Sequence, residues 1–222
     1  MISALSGDHE APTGQARADQ HLYAQFARDA YRKQGVPHYK LIAENRAGPT
    51  GNMRAYRKRT GAGPVVIAFR GTQVEEALRA DLRADYAVLT GTEAEHERFA
   101  EADRFYNEVR ARVGGAEVVV TGHSLGGALA AHVARLHPET RAYTFNQGAG
   151  LGSLTRAGDT SNVVVYTTGN DPLSWASMAQ KTTGATVYVV PVTGQGLLET
   201  HRPAVFLDEL AALRRLLVHD LM

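Results

Sequence analysis

One serine of the chain is flanked by glycines where an apolar strand pattern gives way to a helix pattern. The segment Gly122-His123-Ser124-Leu125-Gly126 fits the motif G-x-S-x-G. In this motif the serine lies in a tight strand-to-helix turn with a strained backbone, and the turn exposes its hydroxyl. A phosphate-binding loop would instead need G-x-x-x-x-G-K-[ST] or G-x-G-x-x-G, and this segment has neither. The pattern therefore predicts Ser124 as a nucleophile.

A nucleophilic serine needs a general base, which is most often a histidine. Downstream of the serine, His201 lies in a loop between the last predicted strand and the last predicted helix. His132 lies too far along the serine's own helix, at about 1.5 Å of rise per residue. His137 lies at the far end of that helix, and His219 lies in the last turn of the final helix, where a cation suits the helix dipole. We therefore predict His201 as the base.

The base in turn needs a carboxylate that orients it. Asp171 comes four residues after the end of the apolar run at 163–167, so it lies just past the carboxyl end of a predicted strand. Asp159 precedes that strand at the opposite edge of the sheet and is expected to cap a turn. Glu199 is very close to His201 in sequence. The acid is expected to follow a strand that lies between Ser124 and His201 in the sequence, and Asp171 meets this condition.

Two N–H groups must also meet the negative charge that develops on a substrate oxygen. One is expected from Leu125, the residue after the nucleophile, at the start of the helix. The other is expected from Thr72, which follows the strand 65–69 and a glycine that allows close approach. The turn itself depends on Gly122 and Gly126, and His123 fills the remaining position of the motif.

The surrounding elements predict an α/β fold. From Pro64 onward strands and helices alternate, which is typical of a mostly parallel sheet with helices on both faces. Two earlier strands, at 39–44 and 53–58, predict an antiparallel hairpin near the N-terminus. The further strands are predicted at 65–69, 117–121, 141–145, 162–167 and 186–190, and the principal helices at 18–33, 93–113, 124–137 and 203–218. We predict a loose lead-in over residues 1–17 and a single domain over 18–222.

Composition excludes several classes of protein. The chain has 222 residues, no cysteine, and 24 Lys+Arg against 23 Asp+Glu. Without cysteine there is no disulfide scaffold, thiolate nucleophile, Cys-bound zinc or iron–sulfur cluster. A near-neutral charge predicts no nucleic-acid partner. We find no Sec signal pattern and no apolar run of transmembrane length, so we expect synthesis in the cytoplasm, with any export by a non-Sec route. The oligomeric state is left open.

Three blocks of sequence resemble the class 3 (fungal-type) lipases of the α/β-hydrolase superfamily, and in particular their compact bacterial and phage phospholipase-like members. These blocks are 67–72 (IAFRGT), 121–130 (TGHSLGGALA) and 170–172 (NDP) with His201 after it. The resemblance implies an α/β-hydrolase fold, Ser124 as nucleophile, His201 as general base and then acid, Asp171 as orienter, and Thr72 and Leu125 as oxyanion donors. It implies no metal and no organic cofactor. The chain departs from the family at 146–150, where NQGAG replaces a Pro-Arg-Val-Gly-type block.

The roles of the candidate lid and pocket residues, and the identity of the substrate, each have more than one interpretation. Leu78 and Leu82 belong to a helical stripe that is a reduced lid, a membrane-facing surface or a helix packed on the sheet. Leu173, Trp175 and Met178 are candidates for an acyl pocket or for core. By the resemblance we expect hydrolysis of lipid acyl esters, by an A1-type cut of phospholipid or on glycerolipid. Any transient membrane contact is expected through apolar loops near the site. The alternatives are a small-ester esterase or thioesterase, and a non-catalytic lipid- or partner-binding module on a hydrolase scaffold.

Overall fold

The computed structural model describes residues 11–45, 53–71, 93–148, 159–169, 184–191 and 201–207. Within these ranges the chain forms one sheet of seven strands with helices packed against it. Several predicted site residues lie outside the described ranges: Thr72, Leu78, Leu82, Asp171, Leu173, Trp175 and Met178.

Strands and helices follow one another along the chain much as the apolar patterns predict. The strands are β1 (Tyr39–Asn45), β2 (Met53–Lys58), β3 (Val65–Phe69), β4 (Val118–His123), β5 (Arg141–Phe145), β6 (Val163–Thr168) and β7 (Thr186–Val190). The helices are α1 (Gly14–Arg32), α2 (Glu93–Val113) and α3 (Leu125–Leu136).

The strands lie in the sheet in the order in which they occur in the chain, from β1 to β7. The pairs β1–β2 and β2–β3 are antiparallel, and every pair from β3 to β7 is parallel. The predicted α/β-hydrolase type of sheet, with its N-terminal antiparallel hairpin, is therefore confirmed. Because β3, β4 and β5 are parallel neighbours, the loops after them emerge at one edge of the sheet.

The two faces of the sheet bury separate apolar cores. In β3, Val65, Ile67 and Phe69 face α2 and α3, whereas Val66 and Ala68 face the opposite side with α1. This is the period-2 alternation of a strand, and burial on both faces explains why β3 and β4 are nearly continuous apolar runs. Helices lie on both faces, as the alternation of strands and helices predicts.

The first helix begins earlier than the sequence indicates. Helix α1 starts at Gly14, inside the stretch 1–17 that we expected to be a loose lead-in. The carbonyl oxygen of Thr13, which has an extended backbone, accepts a hydrogen bond of 3.4 Å from the N–H of Arg17. The prediction placed the start where apolar periodicity begins, but a helix can extend past its apolar face into polar residues. The helix ends at Lys33, which has a left-handed φ of 55°.

The last predicted helix is described only at its beginning. Val205, Phe206 and Leu207 are helical and buried, and Phe206 and Leu207 belong to the core on the α1 face. The rest of the predicted helix, up to residue 218, lies outside the described ranges. In the portion of the chain that is described, no helix is long and apolar enough to cross a membrane.

Candidate active site

Ser124 lies at the carboxyl edge of the parallel strands, directly after β4 and before α3. Its backbone has φ 56° and ψ −128°, a conformation that L-residues rarely adopt and that is costly unless the surroundings enforce it. Ser124 is 5% exposed. A strained serine at the junction of a buried strand and a helix is the geometry that G-x-S-x-G predicts.

Hydrogen bonds on three sides hold this backbone. The N–H of Ser124 donates to the carbonyl oxygen of Phe145 at 3.0 Å, which continues the ladder between β4 and β5. The carbonyl oxygen of Ser124 accepts from the N–H groups of Gly127 at 2.9 Å and Gly148 at 3.0 Å. Strand β5, helix α3 and the segment after β5 therefore all constrain the turn, and together they offset the cost of its positive φ.

Three glycines let the main chain pack closely around the serine. A Cβ on Gly122 would overlap the carbonyl oxygen of Gly126, and a Cβ on Gly126 would overlap the carbonyl oxygen of Phe69. A Cβ on Gly71 would lie 2.5 Å from the Tyr31 hydroxyl and 2.6 Å from the carbonyl oxygen of His123. The end of β3 is thus packed directly against the turn, and any side chain at these positions would push the two apart.

One predicted oxyanion donor lies inside the described part of the structure. Leu125 is the first residue of α3, so its N–H is among the helix-terminal N–H groups that have no intrahelical acceptor. The positive end of the α3 dipole lies at the same place. Gly71, which precedes the second predicted donor Thr72, packs against this turn, but Thr72 itself is not among the described residues.

His123 is fully buried and makes hydrogen bonds through both ring nitrogens. Nδ1 lies 3.2 Å from the hydroxyl of Tyr31, and Nε2 contacts the main-chain carbonyl oxygen of His201. Burial, and to a lesser extent the neighbouring His201, lower the pKa of His123 well below its usual 6.5. The ring is therefore a neutral imidazole at neutral pH.

His201 lies beside the serine turn, next to the residue that precedes the nucleophile. Its ring centroid is 4.8 Å from that of His123, and the two planes are tilted by 50°. It is partly exposed, whereas His123 is fully buried. A base at this site must reach both the serine and the substrate, and a partly exposed ring beside the turn suits that role.

Three of the other candidates, His132, His137 and Asp159, are engaged elsewhere, whereas Glu199 and His219 lie outside the described residues. The ring of His132 packs at 4.9 Å against Phe99, and Nε2 of His137 lies 2.7 Å from Oδ1 of Asp103 on α2. The carboxylate of Asp159 accepts 2.8 Å and 3.0 Å hydrogen bonds from the N–H and hydroxyl of Ser161, in the turn that precedes β6. Asp159 therefore caps a turn at the opposite edge of the sheet, as its position predicts.

Sequence reasoning missed two residues that shape this edge. Tyr31 lies in the last turn of α1, and the one signal it offers is its phenol hydroxyl, which calls for a partner once it is removed from water. Asn146 stood out only as a departure from a family block. It is fully buried with a positive φ of 39°, and its Oδ1 accepts a hydrogen bond of 2.9 Å from the N–H of Thr168. It thereby joins the carboxyl ends of β5 and β6.

The described structure brings five of the predicted site residues together with His201 at one edge of the sheet. These five are Gly122, His123, Ser124, Leu125 and Gly126. The second oxyanion donor, the acid and the five pocket or lid residues lie outside the described ranges, so their placement stays a prediction. Within those ranges no group of three or more His, Asp or Glu side chains could hold a metal ion.

Comparison with known families identifies a lipase-like domain. The sequence model of the Tle-like phospholipase domain matches residues 22–187, a stretch from within α1 to within β7 that includes Ser124. Among curated protein sequences, none matches this chain.

Solved structures with the same fold include fungal lipases. Lipase II from Rhizopus niveus has a TM-score of 0.53 at 17% identity, covering 78% of this chain and 79% of that one. The Lip2 lipase of Yarrowia lipolytica has a TM-score of 0.53 at 14% identity, covering 77% and 78%. A triacylglycerol lipase, described as having a serine protease triad as its catalytic centre, has a TM-score of 0.51 at 18% identity, covering 75% and 78%. This chain spans 64% of the length of the matched chain in the Rhizomucor miehei lipase propeptide complex. At these identities the likeness concerns the fold.

Proposed function

The chain belongs to the family of Tle-like phospholipase domains, a lipase-like family of carboxylic ester hydrolases, and on that basis we propose that it hydrolyses acyl esters of lipids with Ser124 as nucleophile. The observation that carries this proposal is the strained backbone of Ser124, at φ 56°, between a buried strand and a helix N-terminus. A structural serine has no need of such a conformation, whereas a nucleophile does, because the turn presents its hydroxyl to a substrate.

The reaction follows from the roles assigned to three side chains. Ser124 Oγ attacks the ester carbonyl carbon while His201 takes the hydroxyl proton, and the tetrahedral intermediate places its negative charge on the former carbonyl oxygen. The N–H of Leu125, with the predicted donor at Thr72, stabilises that charge. His201 then gives its proton to the alcohol oxygen as the C–O bond breaks, which leaves an acyl-enzyme.

Deacylation repeats these steps with water. His201 removes a proton from water as the water oxygen attacks the acyl carbon, and then returns a proton to Ser124 Oγ as the carboxylic acid leaves. Asp171 is proposed to orient the His201 ring and stabilise its imidazolium form. Two observations support this assignment: the carboxylate of Asp159 is engaged by Ser161, and β6, whose carboxyl end lies at the same edge of the sheet as Ser124, ends three residues before Asp171 in the sequence.

We propose a phospholipid as the first substrate, cut at its sn-1 ester, with glycerolipid as the second. The family match favours phospholipid. Mixed-chain phosphatidylcholine with different acyl groups at sn-1 and sn-2 tests the regiochemistry, because each cut releases a distinguishable fatty acid. Release of the sn-1 acid is expected, and release of the sn-2 acid alone would contradict the A1-type assignment.

A comparison of three substrates tests the proposed activity as a whole. The protein and its Ser124→Ala variant are assayed on a soluble short-chain ester, a triacylglycerol emulsion and phospholipid vesicles. Replacing a nucleophilic serine is expected to lower turnover by at least about 10³-fold. Ser161→Ala is the matched control, since that exposed serine lies in the turn before β6. Activity that survives in Ser124→Ala would contradict the mechanism.

The same assay separates the other candidate functions. Cleavage of soluble esters alone would identify a small-ester esterase or thioesterase without interfacial activity. No cleavage of any substrate by the unaltered protein would favour a non-catalytic binding module. The acid is tested by Asp171→Asn against Asp159→Asn, and only loss of the true orienter is expected to cost about 10⁴-fold in kcat.

A further inference from the structure

We propose that His123 and Tyr31 are positioning residues that fix the main chain of His201 against the serine turn. The inference rests on the proposed function, because it concerns the placement of the base. Its basis is a chain of hydrogen bonds that runs from the end of β3, through α1 and β4, to the segment that carries His201. All four of its members are within the described part of the structure.

The chain of hydrogen bonds begins at Gly71. The N–H of Gly71 donates to the hydroxyl oxygen of Tyr31 at 3.0 Å. That hydroxyl lies 3.2 Å from Nδ1 and 3.3 Å from the carbonyl oxygen of His123. Nε2 of His123 contacts the carbonyl oxygen of His201. The successive partners are 40, 92 and 78 positions apart in the sequence, so the hydrogen bonds connect four distant segments of the chain.

The hydrogen-bond partner of each ring nitrogen determines which nitrogen of His123 carries the proton. A carbonyl oxygen can only accept, so Nε2 of His123 must carry the hydrogen that it donates to His201. Nδ1 of the neutral ring then presents a lone pair to the hydroxyl of Tyr31, whose single hydrogen it shares with the carbonyl oxygen of His123. That hydroxyl in turn accepts from Gly71, so each polar group has a compatible partner. The network therefore has one direction, from Gly71 to His201.

Neutrality of His123 matters because a second imidazole lies beside it. During turnover His201 carries a positive charge, and a charged His123 at 4.8 Å would oppose that charge. Burial holds the pKa of His123 well below its usual value, so its ring stays neutral while His201 is protonated. His123 can therefore hold the His201 main chain without competing for the catalytic proton.

Fixing the carbonyl group of His201 fixes the origin of its side chain. Misplacement of a catalytic group by about 1 Å can cost on the order of 10²-fold in rate. His123 precedes Ser124 in the chain, so the residue that anchors the base is bonded directly to the nucleophile. Movement of β4 would consequently carry both reacting groups together.

The test compares three single variants and one double variant on a soluble short-chain ester. His123→Leu removes both hydrogen bonds, whereas His123→Gln keeps an amide N–H that can donate to the carbonyl oxygen of His201. Tyr31→Phe removes only the hydroxyl. We expect kcat to fall by about 10–100-fold in His123→Leu with KM within about twofold, and His123→Gln to recover most of that loss. Tyr31→Phe added to His123→Leu is expected to cause little further loss, because the two residues act in one chain.

Matched controls separate positioning from general damage to the fold. Tyr166→Phe removes another tyrosine hydroxyl, which donates 2.6 Å to the carbonyl oxygen of Ala16, and His137→Gln alters a histidine paired with Asp103. Thermal unfolding of every variant gives the folded fraction at the assay temperature. We expect both controls to keep the kcat of the unaltered protein per folded molecule.

A second readout follows the tautomer itself. In ¹⁵N NMR the ring of His123 is expected to be neutral and protonated at Nε2, and the Nδ1 signal is expected to shift in Tyr31→Phe. A ring protonated at Nδ1, or a His123→Leu variant with unaltered kcat per folded molecule, would overturn the inference and leave the proposed function intact. If the unaltered protein neither cleaves the ester nor reacts with a fluorophosphonate probe, the proposed function fails, and the inference falls with it.

Discussion

The side-chain oxygen of Asn146, at the end of β5, accepts a hydrogen bond of 2.9 Å from the backbone N–H of Thr168, at the end of β6. It also lies 3.4 Å and 3.3 Å from the hydroxyls of Thr167 and Thr168. Asn146 and Thr168 are both fully buried. The positive φ of 39° at Asn146 suits asparagine better than most residues, so this residue meets a backbone requirement and a hydrogen-bonding requirement together.

Replacing Asn146 by glycine separates these two contributions. Asn146→Gly keeps the positive φ without strain but leaves the buried N–H of Thr168 without its acceptor, at a cost of about 1–3 kcal/mol in the free energy of unfolding. Asn146→Ala is expected to cost about 1 kcal/mol more, because alanine is strained at positive φ. Urea unfolding of both variants measures the difference, and equal stabilities would contradict the strain argument.

Asn146→Gly also tests whether the hydrogen bond between Asn146 and Thr168, which links the ends of β5 and β6, affects activity. Asp171, the proposed orienting acid, follows Thr168 by three residues, so loss of the link is expected to lower kcat per folded molecule. Asn162→Ala is the matched control, because Asn162 donates 2.7 Å hydrogen bonds to the carbonyls of Ala134 and Thr140 before β6 begins. An activity loss no larger than that of the control would show that the link is only structural.

The sequence predicts the fold well because its signals are local. The apolar runs at β3 and β4 are buried on both faces, and a strand buried in this way reads as an unbroken apolar segment. The turn at Ser124 was predictable for a similar reason, since the glycines that it needs lie two residues away on either side. Such features depend on neighbouring residues and therefore leave a pattern in the chain.

The positioning network was not predictable in this way. Tyr31 and His123 are separated by 92 residues, and nothing near Tyr31 indicates that its hydroxyl faces a histidine. Asn146 and Thr168 are 22 residues apart, and the segment that connects the parallel strands β5 and β6 separates them in the sequence. Contacts of this kind depend on how α1 crosses the sheet and on strand register, which hydrophobic periodicity alone does not specify.

Gly126→Ala is expected to disrupt the serine turn. The added Cβ would overlap the carbonyl oxygen of Phe69, which is main chain in a buried strand and cannot move aside cheaply. We expect a loss of about 2–4 kcal/mol in the free energy of unfolding, in the range of severe core substitutions. Gly115→Ala is the control, because a Cβ there meets nothing within 4 Å. Comparable thermal stability of the two variants would contradict the close approach of β3 to the turn.

The buried His123 predicts a pH dependence of stability. Its folded-state pKa is lowered well below 6.5, so below about pH 6.5 the unfolded chain binds a proton that the folded chain does not. The free energy of unfolding should therefore fall as pH decreases, by up to about 1.4 kcal/mol per pH unit from this residue. Urea unfolding between pH 7.5 and pH 5 measures the slope. His123→Gln is expected to reduce it, and an unchanged slope would show that His123 is not the group responsible.

The buried carboxylate of Asp29 connects the end of α1 to the hairpin of β1 and β2. Its Oδ2 lies 2.6 Å from Nη1 of Arg54 and accepts a 2.6 Å hydrogen bond from the hydroxyl of Tyr56, while its Oδ1 accepts a 2.5 Å hydrogen bond from the N–H of Gly35. Nε of Arg54 lies 3.2 Å from Oε1 of Glu44. Asp29, Arg54 and Tyr56 are 3%, 7% and 2% exposed, so water screens these charges little.

The stability losses from removing Asp29 and Arg54 are expected not to add. Asp29→Leu leaves the guanidinium of Arg54 buried with a single carboxylate partner, at a cost of about 3–5 kcal/mol in the free energy of unfolding. Arg54→Leu leaves the carboxylate buried and should cost a similar amount. The double variant leaves neither of these charges behind, so its loss should be well below the sum of the two single losses. Urea unfolding of the four proteins gives the coupling energy, and additive losses would mean that Asp29 and Arg54 stabilise the protein independently.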